Sequence, residues 1–195
     1  PGSGERVTAL AYVYDDGGRL AAGYRGSAGD CVVRAVAIAA QLPYSEVYAA
    51  LSTGMRTQRH TCKSRVRASA HNGVTVKRQW FKNYLRSLGW TWTPTMGIGT
   101  GCKVHLLADE LPSGRLIVAV SKHYTAVLDG VIHDTHNPAD RPGTIYPPNT
   151  LENIPVGSVR LENGNGWLYQ PHRCVYGYWF LDSSGVWTLG AAHAS

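Results

Sequence analysis

His123-Tyr124-Thr125-Ala126-Val127-Leu128-Asp129-Gly130-Val131-Ile132-His133-Asp134 is the stretch whose reading decides the fold. Two apolar runs flank Asp129-Gly130, a dipeptide suited to a two-residue hairpin turn because both positions accept positive φ. Such a turn pairs Leu128 with Val131 and, counted outward, His123 with His136. Side chains alternate between faces along a strand, so His123 shares a face with Asp134 on the neighbouring strand. The carboxylate is then a diagonal neighbour within reach of the imidazole. Asn137 has the opposite parity and stands second as a partner; His136, directly opposite His123, could assist or interfere.

Working outward, Arg115–Ser121 reads as a strand before the hairpin. Val175–Leu181 reads as another after it, followed by a turn at 182–185 and a strand over Val186–Leu189. Residues 137–165 are rich in Pro, Gly and Asn, which sets 137–172 apart as an insertion or long excursion. Upstream, the spacing predicts helices. Residues 31–40 are apolar on nearly every face and broken only by Arg34, so that helix is expected in the middle of the domain. A second short helix starts at a Ser45 cap, with Val47, Tyr48 and Leu51 inward. Residues 53–75 read as a loop. An amphipathic helix follows over 76–88, with Trp80, Tyr84, Leu85 and Leu88 on one face and Gly89 as its C′ residue. Trp90–Met96 reads as a strand held to a sheet edge by Pro94, and Val104–Leu111 as a short helix closed by Pro112. Residues 7–14 read as a strand ended by Asp15-Asp16-Gly17-Gly18. Helices first and a sheet after is an α+β pattern, here one domain over 1–195 with a buried Cys-bearing helix packed on an antiparallel sheet.

The chemistry starts at Asp30-Cys31. Asp30 is a suitable N-cap for the first helix. Cys31, in the first turn, faces unpaired backbone N–H groups and the positive end of the helix dipole, which favour a thiolate. Gly23-Tyr-Arg-Gly-Ser-Ala-Gly29 before it is small enough for a substrate to come close. A nucleophilic Cys needs a base and the base needs an orienting group, and His123 and Asp134 supply them.

Gly29-Asp30-Cys31-Val32-Val33-Arg34-Ala35, the 123–134 stretch and Arg173-Cys174-Val175-Tyr176-Gly177-Tyr178-Trp179 together resemble small uncharacterised bacterial and phage proteins grouped with the papain-like cysteine peptidases. That resemblance implies a papain-like fold and a Cys31–His123–Asp134 triad cleaving a peptide, isopeptide or other amide. A transglutaminase-like transfer follows the same residue order. Relatives of that kind place a Gln a few residues before the Cys to hold the oxyanion. This chain has Tyr24, Arg25 and Ser27 there, which leaves the Cys31 N–H with Ser27 or Arg25 for that task, and Asp30 beside them on the substrate side.

Composition bounds the alternatives. A hydrophobic share of 44% with 16% charged residues argues against disorder. No apolar run is long enough to span a bilayer, so a membrane span is not expected; no charged-then-apolar leader is visible, but Pro1-Gly2-Ser3-Gly4 without a Met looks like a processed or engineered end and leaves a removed leader open. No cofactor is expected. The net charge of +6 is unevenly placed. Between Glu46 and Asp109 there is no acid, while Arg56, Arg59, Lys63, Arg65, Arg67, Lys77, Arg78, Lys82, Arg86 and Lys103 fall there. This basic lobe, residues 56–103, favours an acidic peptide or protein substrate; the competing reading is a non-catalytic binder of nucleic acid or an acidic partner, with Trp80, Trp90 and Trp92 nearby. Cys31, Cys62, Cys102 and Cys174 are widely and irregularly spaced, which reads as free thiols in a reducing, cytoplasmic setting. His60-x-Cys62, Cys102-x-x-His105, His133-x-x-His136 and His172-x-Cys174 are too scattered for a zinc site, so no metal is expected.

Overall fold

The computed structural model describes residues 9–57, 69–140, 144–148, 158–161, 163–169 and 172–181. Its strands are β1 (Ala11–Tyr14), β2 (Trp90–Pro94), β3 (Arg115–Val120), β4 (His123–Leu128), β5 (Val131–Asp134), β6 (Thr144–Tyr146), β7 (Val159–Arg160), β8 (Trp167–Tyr169) and β9 (Val175–Leu181). Its helices are α1 (Cys31–Ala40), α2 (Tyr44–Arg56) and α3 (Gln79–Ser87). The fold is α+β. Six strands form the main sheet in the order β1-β5-β4-β3-β9-β2, and β6-β8-β7 form a second sheet within the expected excursion. The main sheet is antiparallel except at one edge, where β1 runs parallel to β5. The wholly antiparallel expectation is corrected there.

β3 explains why the sheet is central. Its run Leu116-Ile117-Val118-Ala119-Val120 is apolar at every position, and every one of those residues is buried. Such a strand needs cover on both faces. Ile117 joins a core with Val33 and Val36 of α1, Val47 and Leu51 of α2, and Phe81 and Leu85 of α3. Leu116, Val118 and Val120 join the opposite core, with Leu10, Leu106, Leu111, Val127 and Ile132. Burying a residue the size of Leu or Phe contributes about 1.5–3 kcal/mol, so both layers hold the sheet. α1 is buried as its composition requires.

Two helical readings are corrected. α2 continues through 53–56, read as loop, because Met55 is buried and Gly54 lies under the Trp80 ring of α3. Its N-cap is Pro43, and the Ser45 side chain does not cap it. The segment 104–111 is not a helix. Its backbone pairs with the run into β9 instead: Leu106 N–H donates to Arg173 O, and Val175 N–H to Val104 O. The Glu110 carboxylate takes the His105 N–H. In α3 the deepest residues are Phe81 and Leu85, with Trp80, Tyr84 and Leu88 packed at the margin of the core. Gly89 is the C′ residue at φ 84°, and β2 lies at the sheet edge as Pro94 demands. Residues 7–8 and 182–189, also read as strand and turn, lie outside the described residues.

β9 is the least regular strand. Ala119 pairs with Gly177 and Val120 with Val175, so Tyr176 is an extra residue bulged out of the ladder. Bulges re-aim side chains, and Tyr176 is turned into a cleft described below. Next to it Gly177 has φ 156°, and a Cβ there would stand 2.4 Å from the Trp92 ring and 2.8 Å from Thr93 O. Gly177→Ala is therefore expected to lower stability by about 2 kcal/mol through overpacking and backbone strain. An unchanged urea midpoint would show that the Trp92 ring is not held against β9.

Candidate active site

α1 and the β3–β4 hairpin place the reacting groups. Cys31 opens α1, and His123 opens β4, on which α1 lies. The β3–β4 turn is only Ser121-Lys122, because Val120 already pairs with His123; Lys122 takes the left-handed conformation, φ 57°. The β4–β5 register is the one the turn residues imply, with Leu128 opposite Val131. Asp134 thus reaches His123 diagonally, and His123 Nε2 lies 2.6 Å from Asp134 Oδ2.

Cys31 is a free, half-buried thiol. Burial pushes the thiol up. A hydrogen bond to the His123 ring, one from the Tyr124 backbone N–H, and the charges of His123 and Arg34 outweigh it and leave the thiol below its ordinary value. With Nε2 committed to Asp134, Nδ1 is the nitrogen that meets the sulfur. Burial disfavours a charged His123 ring, but the hydrogen bonds to Asp134 and Cys31 lift it to about 9. Burial likewise opposes the Asp134 charge, and the bond to His123, the charge of that ring and the Thr135 N–H hold it below the usual range. The row therefore sets a thiol shifted toward its thiolate beside an imidazole held charged up to about 9 and a carboxylate shifted toward its charged form. The stability that this gives through His123 is present below about 6.5 and fades as pH rises through about 9. The share through Asp134 is present above about 3.8 and fades in acid.

Around the triad, Arg173 ties two turns together. Its guanidinium donates to Ser121 O at 2.6 Å, just before His123, and to Pro138 O at 3.3 Å, just after the Asp134 strand. His136 lies beside His123, ring centroids 4.7 Å apart. Burial pushes it below its ordinary value, with the positive charges of His123, Arg173 and Arg34 acting the same way against Asp134. Asn137 does not reach the triad; its side chain accepts from Ala139 N–H.

Cys31 and His123 stand between two clefts. One, of about 600 Å³, is polar and includes Arg19, Ser27, Arg34, Lys122 and His136. The other, of about 830 Å³, has an apolar floor with Trp92, Tyr176 and Trp179. Ser27 faces the first cleft, and the first-turn N–H groups of α1, with no intrahelical acceptors, are available beside it. Arg25 is exposed and is not part of the lining; its carbonyl accepts from Arg19. Asp30 is corrected on both counts. It makes no side-chain cap bond and has no exposed surface. Its carboxylate takes Arg19 Nε at 2.8 Å, Arg34 Nη1 and the Tyr44 hydroxyl. The Tyr44 hydroxyl is pushed far up, by burial and then by that carboxylate.

The free-thiol reading fails for Cys102 and Cys174, which form a disulfide with Cα atoms 5.8 Å apart. The 104–106 pairing with 173–175 brings them together, a contact that spacing alone does not reveal. The cytoplasmic expectation loses its thiol argument with them. No helix among the described residues is long and apolar enough to cross a membrane. His60 and Cys62 lie outside the described residues, and His133 pairs with Asp15 at 3.3 Å. Among the described residues, His123, Asp134 and His136 are close enough to share a cation, their ligand atoms lying within 4.8 Å of one another. A cation there would compete with the 2.6 Å histidine–aspartate bond.

Sequence reasoning missed Arg34, Lys122, Arg173 and the aromatic cleft. Arg34 left a signal as the lone charge in an apolar helix, and Trp92 as an aromatic residue beside the basic lobe.

Two outcomes are expected. Iodoacetamide should alkylate Cys31 with a pH limb below that of an ordinary thiol, and His123→Ala should move the limb up. Rates read by peptide mass from pH 5 to 9 test this, and coincident limbs would sink the pairing. Asp30→Ala should cost about 3–5 kcal/mol, because it strands two half-paired guanidiniums, against about 1 kcal/mol for a lost cap. A urea-unfolding loss near the lower figure would return Asp30 to a capping role. No protein-family model, no curated protein and no solved structure matches this chain, and the meaning of the site is carried by its geometry.

Proposed function

We propose that this protein is a cysteine-dependent amide hydrolase of papain-like type, acting on a peptide, isopeptide or related amide. The observation that carries the reading is the Cys31–His123–Asp134 row at the junction of two open clefts, with the histidine–aspartate bond at 2.6 Å. In this reading Cys31 Sγ attacks the carbonyl carbon and the carbonyl electrons move to oxygen. The Cys31 N–H, with Ser27 at the cleft wall, faces that oxyanion. The C–N bond breaks as imidazolium passes its proton to the leaving amine. Water, deprotonated by the now neutral His123, then releases the acyl group as a carboxylic acid and restores the thiolate. An amine in place of water gives the transfer reaction with the same groups.

Two residues of the basic segment belong to the same reading. Lys77 and Lys82 stand at the wall of the apolar cleft, so their charge acts on whatever reaches Cys31. No separate nucleic-acid surface is needed to account for them.

The test is a peptide library incubated with wild type or with Cys31→Ala in ¹⁸O water. Wild type should generate new carboxyl termini that carry the label, and Cys31→Ala should lose at least a thousandfold in rate. Identical libraries after both incubations would dismiss the hydrolase reading.

A further inference from the structure

The two clefts beside Cys31 differ in what their charges are free to do. In the polar cleft Arg19 and Arg34 are both spent on Asp30. In the apolar cleft the charges are Lys77 and Lys82, with Lys122 shared between the two clefts, and among the described residues no carboxylate lies within 4.0 Å of any of them. Lys77 and Lys122 are exposed and Lys82 half-exposed, so the lining carries three ammonium groups that no described carboxylate neutralises. Below them the floor is built with care. Gly177 lacks a side chain where the Trp92 ring crosses β9, and the bulge turns Tyr176 toward the same space. The cavity of about 830 Å³ suits a large side chain with its chain neighbours.

We propose, resting on the amide-hydrolase reading, that this cleft is a specificity subsite for peptides in which a large apolar residue adjoins an acidic one. The apolar side chain occupies the floor between Trp92 and Tyr176, and the neighbouring carboxylate pairs with these lysines. An extended peptide advances about 3.3 Å per residue. A carboxylate one residue from the buried side chain is therefore within the span of the lysines that line the same cleft. A single-stranded nucleic acid fits less well. Its bases need open aromatic faces, whereas the Trp92 ring already packs on Trp179, centroids 5.3 Å apart, Trp179 is itself buried, and Tyr176 is left as the exposed ring beside Val32, Val74 and Val76.

The test uses full-length Cys31→Ala, which binds without turning over, and fluorescence anisotropy. The probes are fluorescein-labelled Gly-Gly-Asp-Asp-Phe-Gly-amide, the same peptide with Lys-Lys for Asp-Asp, the same with Gly for Phe, and a labelled twelve-nucleotide oligothymidylate. The Asp-Asp-Phe peptide should bind roughly tenfold tighter than either peptide variant, and 0.5 M NaCl should erode the charge preference. Lys77→Glu with Lys82→Glu, both surface positions, should invert the charge order with an unchanged circular dichroism spectrum. Should that pair disturb folding, Lys77→Ala with Lys82→Ala should erase the order instead. Equal binding of the acidic and basic peptides, no loss on removing Phe, or an oligothymidylate that binds tighter and displaces the peptide would each overturn the subsite. The nucleophile is read separately, by iodoacetamide on wild type. Normal His123-dependent alkylation without peptide discrimination ends the subsite and keeps the hydrolase. Peptide discrimination without His123-dependent alkylation ends the hydrolase and keeps the subsite.

Discussion

A carboxylate with no exposed surface holds the site together. Asp30 gathers Arg19 from the loop before α1, Arg34 from the next turn of α1, and Tyr44 from the start of α2. Arg19 in turn donates to the carbonyls of Tyr24 and Arg25, so one acid fixes the whole approach to Cys31. An ionised carboxylate is costly to bury alone, and two guanidiniums with a phenol are what make it tolerable. The charge bookkeeping also reaches the nucleophile. Arg34 is held by Asp30 yet still lies close enough to favour the Cys31 thiolate. Removing the acid would therefore disturb both the position of α1 and the field at its first residue.

What was legible in the chain was legible for local reasons. Asp129-Gly130 sets a register by turn geometry, and alternation along β4 and β5 then carries His123 to Asp134 without any knowledge of the rest of the fold. Helix α1 was legible because ten nearly unbroken apolar residues after a Gly-rich loop leave few other choices. What was not legible depended on distant partners. Asp30 sits at a cap position with a capping residue type, but Arg19 and Tyr44, eleven and fourteen residues away, outcompete the backbone for its oxygens. The segment 104–111 carries helix-like spacing, yet residues 173–175 offer it backbone partners from seventy residues on. The Cys102–Cys174 bond is a by-product of that same pairing.

The bulge at Tyr176 belongs to the same class. Nothing in Val175-Tyr176-Gly177 marks which residue leaves the ladder, because the reason lies on β2. Trp92 must lie somewhere, and Gly177 is the position on β9 that can accept its ring. Once Gly177 is under Trp92, Val175 still pairs with Val120, and Tyr176 is the residue left over. One aromatic ring at a sheet edge thereby shapes a cleft that ends at the nucleophile.

The feature that first singled out Cys31 is not the one that most favours its thiolate. A helix N-terminus contributes about 0.3–1 kcal/mol to an anion at an exposed site and about 2 at best. At about 1.4 kcal/mol for each tenfold change, that shifts a thiol by roughly one unit. Burial acts against it and is the largest single influence on this sulfur. The helix start alone would leave a mostly neutral thiol, as at any half-buried cysteine. His123 changes the outcome, because its bond and charge act together on the sulfur. The same ring is itself kept charged by Asp134. The shift toward the thiolate is thus a property of β4 and β5 more than of α1, and α1 supplies the position at which their charge acts.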